Sequence, residues 1–267
     1  MDERPIGVFD SGVGGLTVVR SLIDLLPTES IIYYGDTARG PYGPRDRADV
    51  RGCVDDVAKV LVDEGVKMIV AACNSASAAG LDHIRDAYPD IPIIEVIEPA
   101  VRAAVKATRN RRIGVVGTAL TIASRAYDTT VAMTRENVSL VGQPCPRFVE
   151  FVERGETTGP EILAIAGEYL APLKEQDVDT LILGCTHYPL LRGVIQYVMG
   201  RDVVLIESDL EVAIDVFATL TRRDMFRPRP LPVEHRFLAS GDEAQFADLG
   251  ARFLGPEITK VEEHRWS

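Results

Sequence analysis

Two cysteines, Cys73 and Cys185, occupy matching positions in two similar segments of the chain, residues 66–75 and 178–187. In each segment a run of small and branched apolar residues leads to the cysteine, and hydroxyl or amide side chains follow it. If the two segments face each other across a cleft, one thiol meets a bound molecule from each side. Such a pair could remove a proton from one face of a carbon atom and return a proton to the opposite face. We therefore predict that both cysteines take part in chemistry.

The positions of these two cysteines set them apart from the other two in the chain. Each follows a predicted strand and lies beside a predicted helix start, where partial positive charge favours a thiolate over a thiol. Cys53 falls on a predicted helix and Cys145 in a predicted loop, and we interpret both as small buried apolar residues. The cysteines have no Cys-x-x-Cys spacing. This argues against a zinc site, a disulfide framework or a redox pair, and we expect no metal.

Two further side chains are candidates for catalysis. His187 lies two residues after Cys185. With an ordinary pKa of about 6.5, it could hold charge or assist proton transfer beside that thiol, although a structural histidine is the alternative. Asp10 follows the first predicted strand, where it could orient a substrate ammonium group or influence Cys73. The alternative for Asp10 is a simple helix N-cap.

Two loops rich in glycine adjoin these residues. The loop at residues 12–15 lacks the Gly-Lys-Ser/Thr sequence of a phosphate-binding P-loop, and its spacing is not Gly-x-Gly-x-x-Gly. The loop at residues 35–43 combines several glycines with a proline and two charged residues. It is either a rigid turn or a lip over the cleft that offers backbone donors at Tyr42 and Gly43.

Short apolar runs typical of buried strands alternate with helical patterns along the chain. In the first half they predict strands at residues 6–9, 31–34, 68–71 and 93–96, and helices at 13–26, 47–64 and 75–87. The pattern then restarts, and it predicts strands at residues 111–118, 138–141, 181–183 and 203–206. Fully apolar strands that alternate with helices indicate parallel sheets covered by helices on both faces.

The restart predicts an α/β protein of two similar, doubly wound parallel-sheet lobes related by a pseudo-twofold duplication, with the active site in the cleft between them. Lobe A would comprise residues 1–97 and 208–267, and lobe B residues 98–207. Ligands bind beyond the carboxyl ends of the strands in such sheets. Eight residues with polar or thiol side chains fall at these ends: Asp10, Ser11, Cys73, Asn74, Thr118, Cys185, Thr186 and His187.

The composition excludes several classes of protein. The chain of 267 residues has a net charge of −11, so we expect no direct binding to nucleic acid, which requires clustered Lys and Arg. No run approaches the roughly 18–20 apolar residues of a membrane helix, and the N-terminus lacks the apolar stretch of a signal peptide. We predict a cytoplasmic location, where thiols stay reduced.

Several motifs, taken together, resemble those of the glutamate racemases in the aspartate/glutamate racemase family, which supply D-glutamate for bacterial peptidoglycan. The resemblance covers nearly the whole chain. Its motifs lie at residues 9–15, 34–43, 73–77, 145–149 and 184–189. One departure is Ser75, where many members carry threonine; the hydroxyl group is retained.

The resemblance implies two flavodoxin-like lobes, a C-terminal stretch that returns to lobe A, and a reaction without a cofactor. It implies that Cys73 acts on D-glutamate and Cys185 on L-glutamate. It also implies that the amino acid is bound by Asp10, Ser11, Tyr42, Gly43, Asn74, Ser75, Thr186 and His187. Glu153 aligns with a family acid near Cys185, and Glu153 and Thr118 are auxiliary candidates. A homodimer is common in the family, and some relatives bind DNA gyrase.

Three rival functions remain at this point. A racemase for aspartate or another amino acid would use the same pair of thiols, although Thr186, His187 and the Tyr42 loop favour glutamate. A hydrolase with a cysteine nucleophile would leave the second cysteine unexplained. A two-lobed binding protein would have no need of two reactive thiols.

Overall fold

The computed structural model describes residues 1–228, 232–258 and 260–266. Its strands are β1 (Ile6–Asp10), β2 (Ile31–Gly35), β3 (Met68–Ala71), β4 (Ile93–Glu95), β5 (Arg112–Gly117), β6 (Ser139–Pro144), β7 (Thr180–Gly184), β8 (Val204–Glu207), β9 (His235–Ala239) and β10 (Val261–Glu263). Its helices are α1 (Leu16–Leu25), α2 (Arg47–Asp63), α3 (Asn74–Ala79), α4 (Asp82–Ala87), α5 (Ile97–Ala107), α6 (Ala119–Ala123), α7 (Ala126–Thr134), α8 (Arg147–Arg154), α9 (Pro160–Glu175), α10 (Arg192–Met199), α11 (Ser208–Arg223) and α12 (Glu243–Leu254).

The strands form two parallel sheets whose orders repeat. One sheet has the order β10-β9-β2-β1-β3-β4, and the other has the order β6-β5-β7-β8. The series β2-β1-β3-β4 of the first sheet therefore matches the whole of the second sheet. The α/β fold with two similar parallel sheets, predicted from the restart of the sequence pattern, is confirmed. The lobe boundaries at residues 97/98 and 207/208 stay a prediction.

The central strands explain why the sequence pattern was so clear. Every residue of β1, β2, β3 and β7 is buried, as expected for strands covered by helices on both faces. Because neighbouring strands run in the same direction, their carboxyl ends lie at one edge of the sheet. Cys73 follows β3 at this edge, and Cys185 follows β7 at the corresponding edge of the other sheet.

One predicted element differs in the structure. The helix expected over residues 75–87 is two short helices, α3 and α4, because the chain turns at Gly80. Gly80 has φ 91° and ψ 133°, a conformation that residues with a Cβ rarely adopt. Helix α8 and strand β10 are not indicated by the sequence pattern, and both contribute to the arrangement of the site.

The two sheets share part of their hydrophobic core. One buried cluster runs from Val8 and Val70 in the first sheet to Val115 and Ile182 in the second. Helices α5 and α11 follow the last strand of each repeat, and they pack against each other. The lobes are thus joined by packing as well as by the chain. No helix in the described residues is long and apolar enough to span a membrane.

Candidate active site

A cavity of about 220 Å³ lies where loops from the two sheets meet. Both thiols, Cys73 from the first sheet and Cys185 from the second, line it. The other lining residues are Ser11, Pro41, Gly43, Pro44, Asn74, Ser75, Thr118, Ala119, Pro146, Val149, Glu150, Glu153, Thr186 and His187. Every residue predicted for the site is on this wall except Asp10 and Tyr42.

Cys73 is held as the N-cap of α3. Its sulfur accepts a hydrogen bond from the Ala76 amide at 3.5 Å and lies 3.7 Å from the Ser11 hydroxyl. Burial, together with the charge of nearby Asp10, raises the pKa of the Cys73 thiol to about 12. The expectation that the helix start favours a thiolate is therefore wrong for Cys73, because the lost hydration outweighs the hydrogen bonds from the helix.

Cys185 has a different environment, dominated by His187. The sulfur lies 3.9 Å from Nδ1 of His187, and Nε2 of the same ring lies 3.2 Å from the Glu153 carboxylate. Burial lowers the pKa of His187, but its hydrogen bonds to Cys185 and Glu153 outweigh burial and raise the pKa to about 10. The imidazolium is thus the stable form at neutral pH, and it places a positive charge beside the Cys185 sulfur.

The His187 ring is also fixed from outside the second sheet. Phe253 on α12 packs edge-on against it, with ring centroids 5.6 Å apart. Arg252 on the same helix donates to the Glu153 carbonyl at 3.0 Å. Sequence reasoning missed both residues, since α12 is far from the Cys185 segment in the chain.

Asp10 lies beneath the cavity, between the lobes. Its carboxylate is fully buried and accepts hydrogen bonds from the Gly12 amide at 2.9 Å and from the Thr186 hydroxyl at 3.3 Å. Burial raises the pKa of Asp10, although the charge of His187 opposes this. Asp10 therefore links the first sheet to the Cys185 loop, and its predicted contact with a substrate ammonium group stays a prediction.

Polar contacts between the lobes close one side of the cavity. The Asn74 amide donates to the Tyr127 hydroxyl at 3.0 Å, and the Ser75 and Thr118 hydroxyls lie 2.9 Å apart. Thr121 extends this group, with its hydroxyl 3.0 Å from that of Thr118. No local pattern in the sequence indicates Tyr127 or Thr121, because only the folded chain brings α6 and α7 against α3.

The loop at residues 35–43 forms a lip of the cavity beside Thr118. Gly43 lines the cavity, and its carbonyl accepts a hydrogen bond at 3.1 Å from the amide of Leu120 in helix α6. The Tyr42 side chain is buried and donates its hydroxyl to Asp36, away from the cavity. The Tyr42 side chain is therefore not available to a ligand in the cavity. A contact between Tyr42 and a ligand would have to use the main chain, in line with the backbone donors predicted at Tyr42 and Gly43.

The site combines two thiols from opposite sheets, a buried imidazolium beside one of them, and several hydroxyl and amide donors. This arrangement suits proton transfer to and from a small polar molecule. In the described ranges 1–228, 232–258 and 260–266, no three His, Cys, Asp or Glu side chains are grouped as metal ligands. Fold and site together define a two-lobed α/β protein in which each lobe contributes one thiol to a shared cavity.

Comparisons with known proteins identify the class. Residues 6–208 match the family described as Asp/Glu/Hydantoin racemase. The glutamate racemase of Parafrankia sp. (strain EAN1pec) is 56% identical over 262 residues, which cover 98% of this chain and 94% of that protein. The chain therefore belongs to the Asp/Glu/hydantoin racemase family, and its relatives in that family include many glutamate racemases.

Solved structures agree with this assignment. The glutamate racemase of Francisella tularensis subsp. tularensis SCHU S4, determined with D-glutamate, superposes with a TM-score of 0.93 at 36% identity and covers 99% of this chain and 98% of its own. The Escherichia coli glutamate racemase, determined with L-glutamate and the activator UDP-MurNAc-ala, has a TM-score of 0.80 at 26% identity, with 98% of each chain covered.

Proposed function

We propose that this protein interconverts L- and D-glutamate without a cofactor, using Cys73 and Cys185 as two acid–base groups on opposite faces of the α-carbon. The observation that carries this proposal is that the two thiols come from different sheets and line the same cavity. The glutamate racemases of Francisella tularensis and Escherichia coli, whose structures hold D- and L-glutamate, support glutamate as the substrate.

The reaction balances with these two groups alone. With L-glutamate, the Cys185 thiolate removes the α-proton: the C–H bond breaks, an S–H bond forms, and the electron pair stays on the carbon and its carboxylate. The Cys73 thiol then gives its proton to the opposite face and becomes a thiolate. D-Glutamate results, and the two sulfurs have exchanged roles, so the enzyme is ready for the reverse reaction.

The surroundings of each sulfur suit this exchange. His187 stabilises the anionic form of Cys185 by its charge, and Glu153 holds the imidazole ring in place. On the other side, the Ser11 hydroxyl and the Ala76 amide can each donate to Cys73 when it is a thiolate. Asn74, Ser75, Thr186 and the main chain at Gly43 supply the donors that a substrate with two carboxylates needs.

The rival functions fit the site less well. A cysteine hydrolase needs one thiol with a base, as Cys185 and His187 provide, but it gives Cys73 no role at the same cavity. An aspartate racemase would use the same thiols, but the similar proteins named above are glutamate racemases, which favours glutamate as the substrate.

We propose that the D-glutamate made serves peptidoglycan synthesis. The cytoplasmic location and homodimer formation stay predictions.

The first test is racemisation of L-glutamate alone by purified protein dialysed against a chelator, followed by chiral chromatography. We expect D-glutamate to form, and a folded sample without turnover would contradict the proposed function. In deuterated water, two-base chemistry places deuterium early in the product enantiomer but not in recovered substrate. Deuterium in both from the start would indicate a single base instead.

The second test removes each thiol. Cys73→Ala and Cys185→Ala should each lower kcat by at least about 10³-fold, since each loses one acid–base group. Cys53→Ala is the matched control, because Cys53 is also buried in the first lobe but is not on the cavity wall. Near-normal turnover of either cavity variant would refute the two-base mechanism.

A further inference from the structure

A buried carboxylate, Asp36, lies at the base of the loop that forms one lip of the cavity. It is fully buried and accepts hydrogen bonds from four side chains. Two donors, Arg39 and Tyr42, belong to the loop itself, with the Arg39 bond at 2.8 Å. The other two are Ser240 at 2.8 Å and Trp266 at 2.9 Å, and both come from the C-terminal part of the chain.

These contacts leave the loop little freedom. The Tyr42 hydroxyl binds the same Asp36 oxygen as Arg39, so the residue immediately before Gly43 is tied to the start of the loop. The Asp36 carbonyl also accepts the amides of Arg39 and Gly40, at 3.2 Å and 2.8 Å. A buried carboxylate that lost one of these partners would be costly, so the loop and its donors form one unit.

The C-terminal tail completes this unit from outside the loop. Strand β10 adds to the edge of the first sheet beside β9, and this pairing brings Trp266 over the loop. The Arg39 guanidinium carbon lies 3.8 Å from the centroid of the Trp266 ring. Trp266 also packs on Tyr34 and His264, with ring centroids 5.6 Å and 5.1 Å away. It thus holds both the acid and the cation that organise the loop.

We propose that Trp266 is a positioning residue for the reaction: by binding Asp36 and covering Arg39, it holds the loop so that the main chain at Tyr42 and Gly43 meets the substrate. Trp266 itself is not on the cavity wall. The inference rests on the proposed function for the identity of the substrate, but the link from the tail to the loop is independent of it.

Two variants test the link, with one matched control. Trp266→Phe keeps a ring over Arg39 but removes the indole N–H, and Trp266→Ala removes both. Arg265→Ala changes the adjacent residue, whose side chain is exposed and pairs with Glu263 instead. Hydrogen–deuterium exchange without any ligand should be faster for the amides of residues 37–43 in the Trp266 variants, and unchanged in the control.

Steady-state kinetics then separate positioning from general stability. We expect Trp266→Ala to raise KM for both enantiomers by about tenfold with a smaller change in kcat, because binding to the loop's main chain is weakened. Trp266→Phe should fall between wild type and Trp266→Ala, and Arg265→Ala should behave as wild type.

The outcomes are distinguishable. A lower thermal midpoint with unchanged KM and unchanged loop exchange would show that the tail only stabilises the fold, and would overturn the inference. If Trp266→Ala does not fold, Trp266→Phe decides by the same two measurements. If the wild type does not racemise glutamate, the proposed function fails, while the exchange experiment still tests the link between the tail and the loop.

Discussion

The two sulfur atoms are equivalent in the repeat but not in their surroundings. Cys73 has a neighbouring carboxylate, Asp10, and only neutral hydrogen-bond donors, so its thiol form is favoured. Cys185 instead lies 3.9 Å from Nδ1 of His187, an imidazole whose pKa is raised to about 10, so a positive charge is held beside that sulfur. The proton should therefore be held firmly on Cys73 in the free protein, which is the state that the proposed mechanism requires when L-glutamate binds.

This asymmetry predicts different reactivities towards iodoacetamide. At about pH 7, Cys73 should be alkylated more slowly than Cys185, because the raised pKa of Cys73 leaves little of the nucleophilic thiolate. The pKa of Cys73 is raised to about 12 from the usual 9.0. The fraction of Cys73 in the thiolate form, and with it the rate of alkylation, should therefore keep increasing as the pH rises past 9. Peptide mapping by mass spectrometry at several pH values gives both rates.

The His187→Gln variant is the control for this experiment. It removes the positive charge beside Cys185 and should slow alkylation of that residue while leaving Cys73 unchanged. Faster alkylation of Cys73 than of Cys185 in the wild type near neutral pH would contradict the assignment of the resting proton.

At the scale of elements, short helices bring the polar groups to the cavity. Helix α3 begins directly after Cys73, so Asn74 and Ser75 occupy its first turn and face the second lobe. It can end after six residues because Gly80 adopts a φ of 91°. In the second lobe, helix α8 includes Glu153 and positions its carboxylate next to His187.

Because of the backbone conformation at Gly80, we predict that any side chain at this position destabilises the protein. Gly80→Ala should lower the free energy of unfolding by about 1–3 kcal/mol, because alanine is strained at this φ and ψ. The added Cβ would also lie 3.0 Å from the Arg47 and Arg51 guanidinium groups. Urea unfolding measures the change.

Gly52→Ala is the matched control, since Gly52 lies inside α2 and no described atom would come within 4 Å of its new Cβ. This change should stabilise the protein by up to about 1 kcal/mol. Equal effects of the two substitutions would show that backbone conformation is not what makes Gly80 necessary.

At the scale of the whole molecule, the cavity depends on close approach of the two lobes. The loop after β1 meets the loop after β7 at Gly14, where a Cβ would overlap the Thr186 hydroxyl and lie 2.6 Å from Nδ1 of His187. The bond from Thr186 to Asp10 crosses the same junction. Glycine at position 14 thus serves the contact between lobes.

Gly14→Ala should therefore impair catalysis more than folding. Displacing Thr186 and His187 by a fraction of an ångström to about 1 Å should lower kcat/KM by about 100-fold. Circular dichroism and thermal unfolding would show a retained fold, and Gly52→Ala again serves as control. Wild-type kcat/KM in Gly14→Ala would mean that the lobes are not packed as closely as described.

The amino-acid sequence alone determined the α/β class, the two repeats and the paired thiols. Each depends on a signal local in the chain: strands covered on both faces must be continuously apolar, and residues 66–75 and 178–187 can be aligned without a gap. The carboxyl-end rule for parallel sheets then placed Ser11, Asn74 and Thr186 near a common edge. The repeated strand order in the structure agrees with that reading.

Only the tertiary structure decided how the neighbours of each group are arranged. The contacts of Tyr127 with Asn74, of Phe253 with His187 and of Trp266 with Asp36 join residues far apart in the chain, so no local pattern indicates them. The protonation of Cys73 follows from burial and from nearby Asp10, which spacing does not reveal. Desolvation and charge act through space, and they take their values only once the chain has folded.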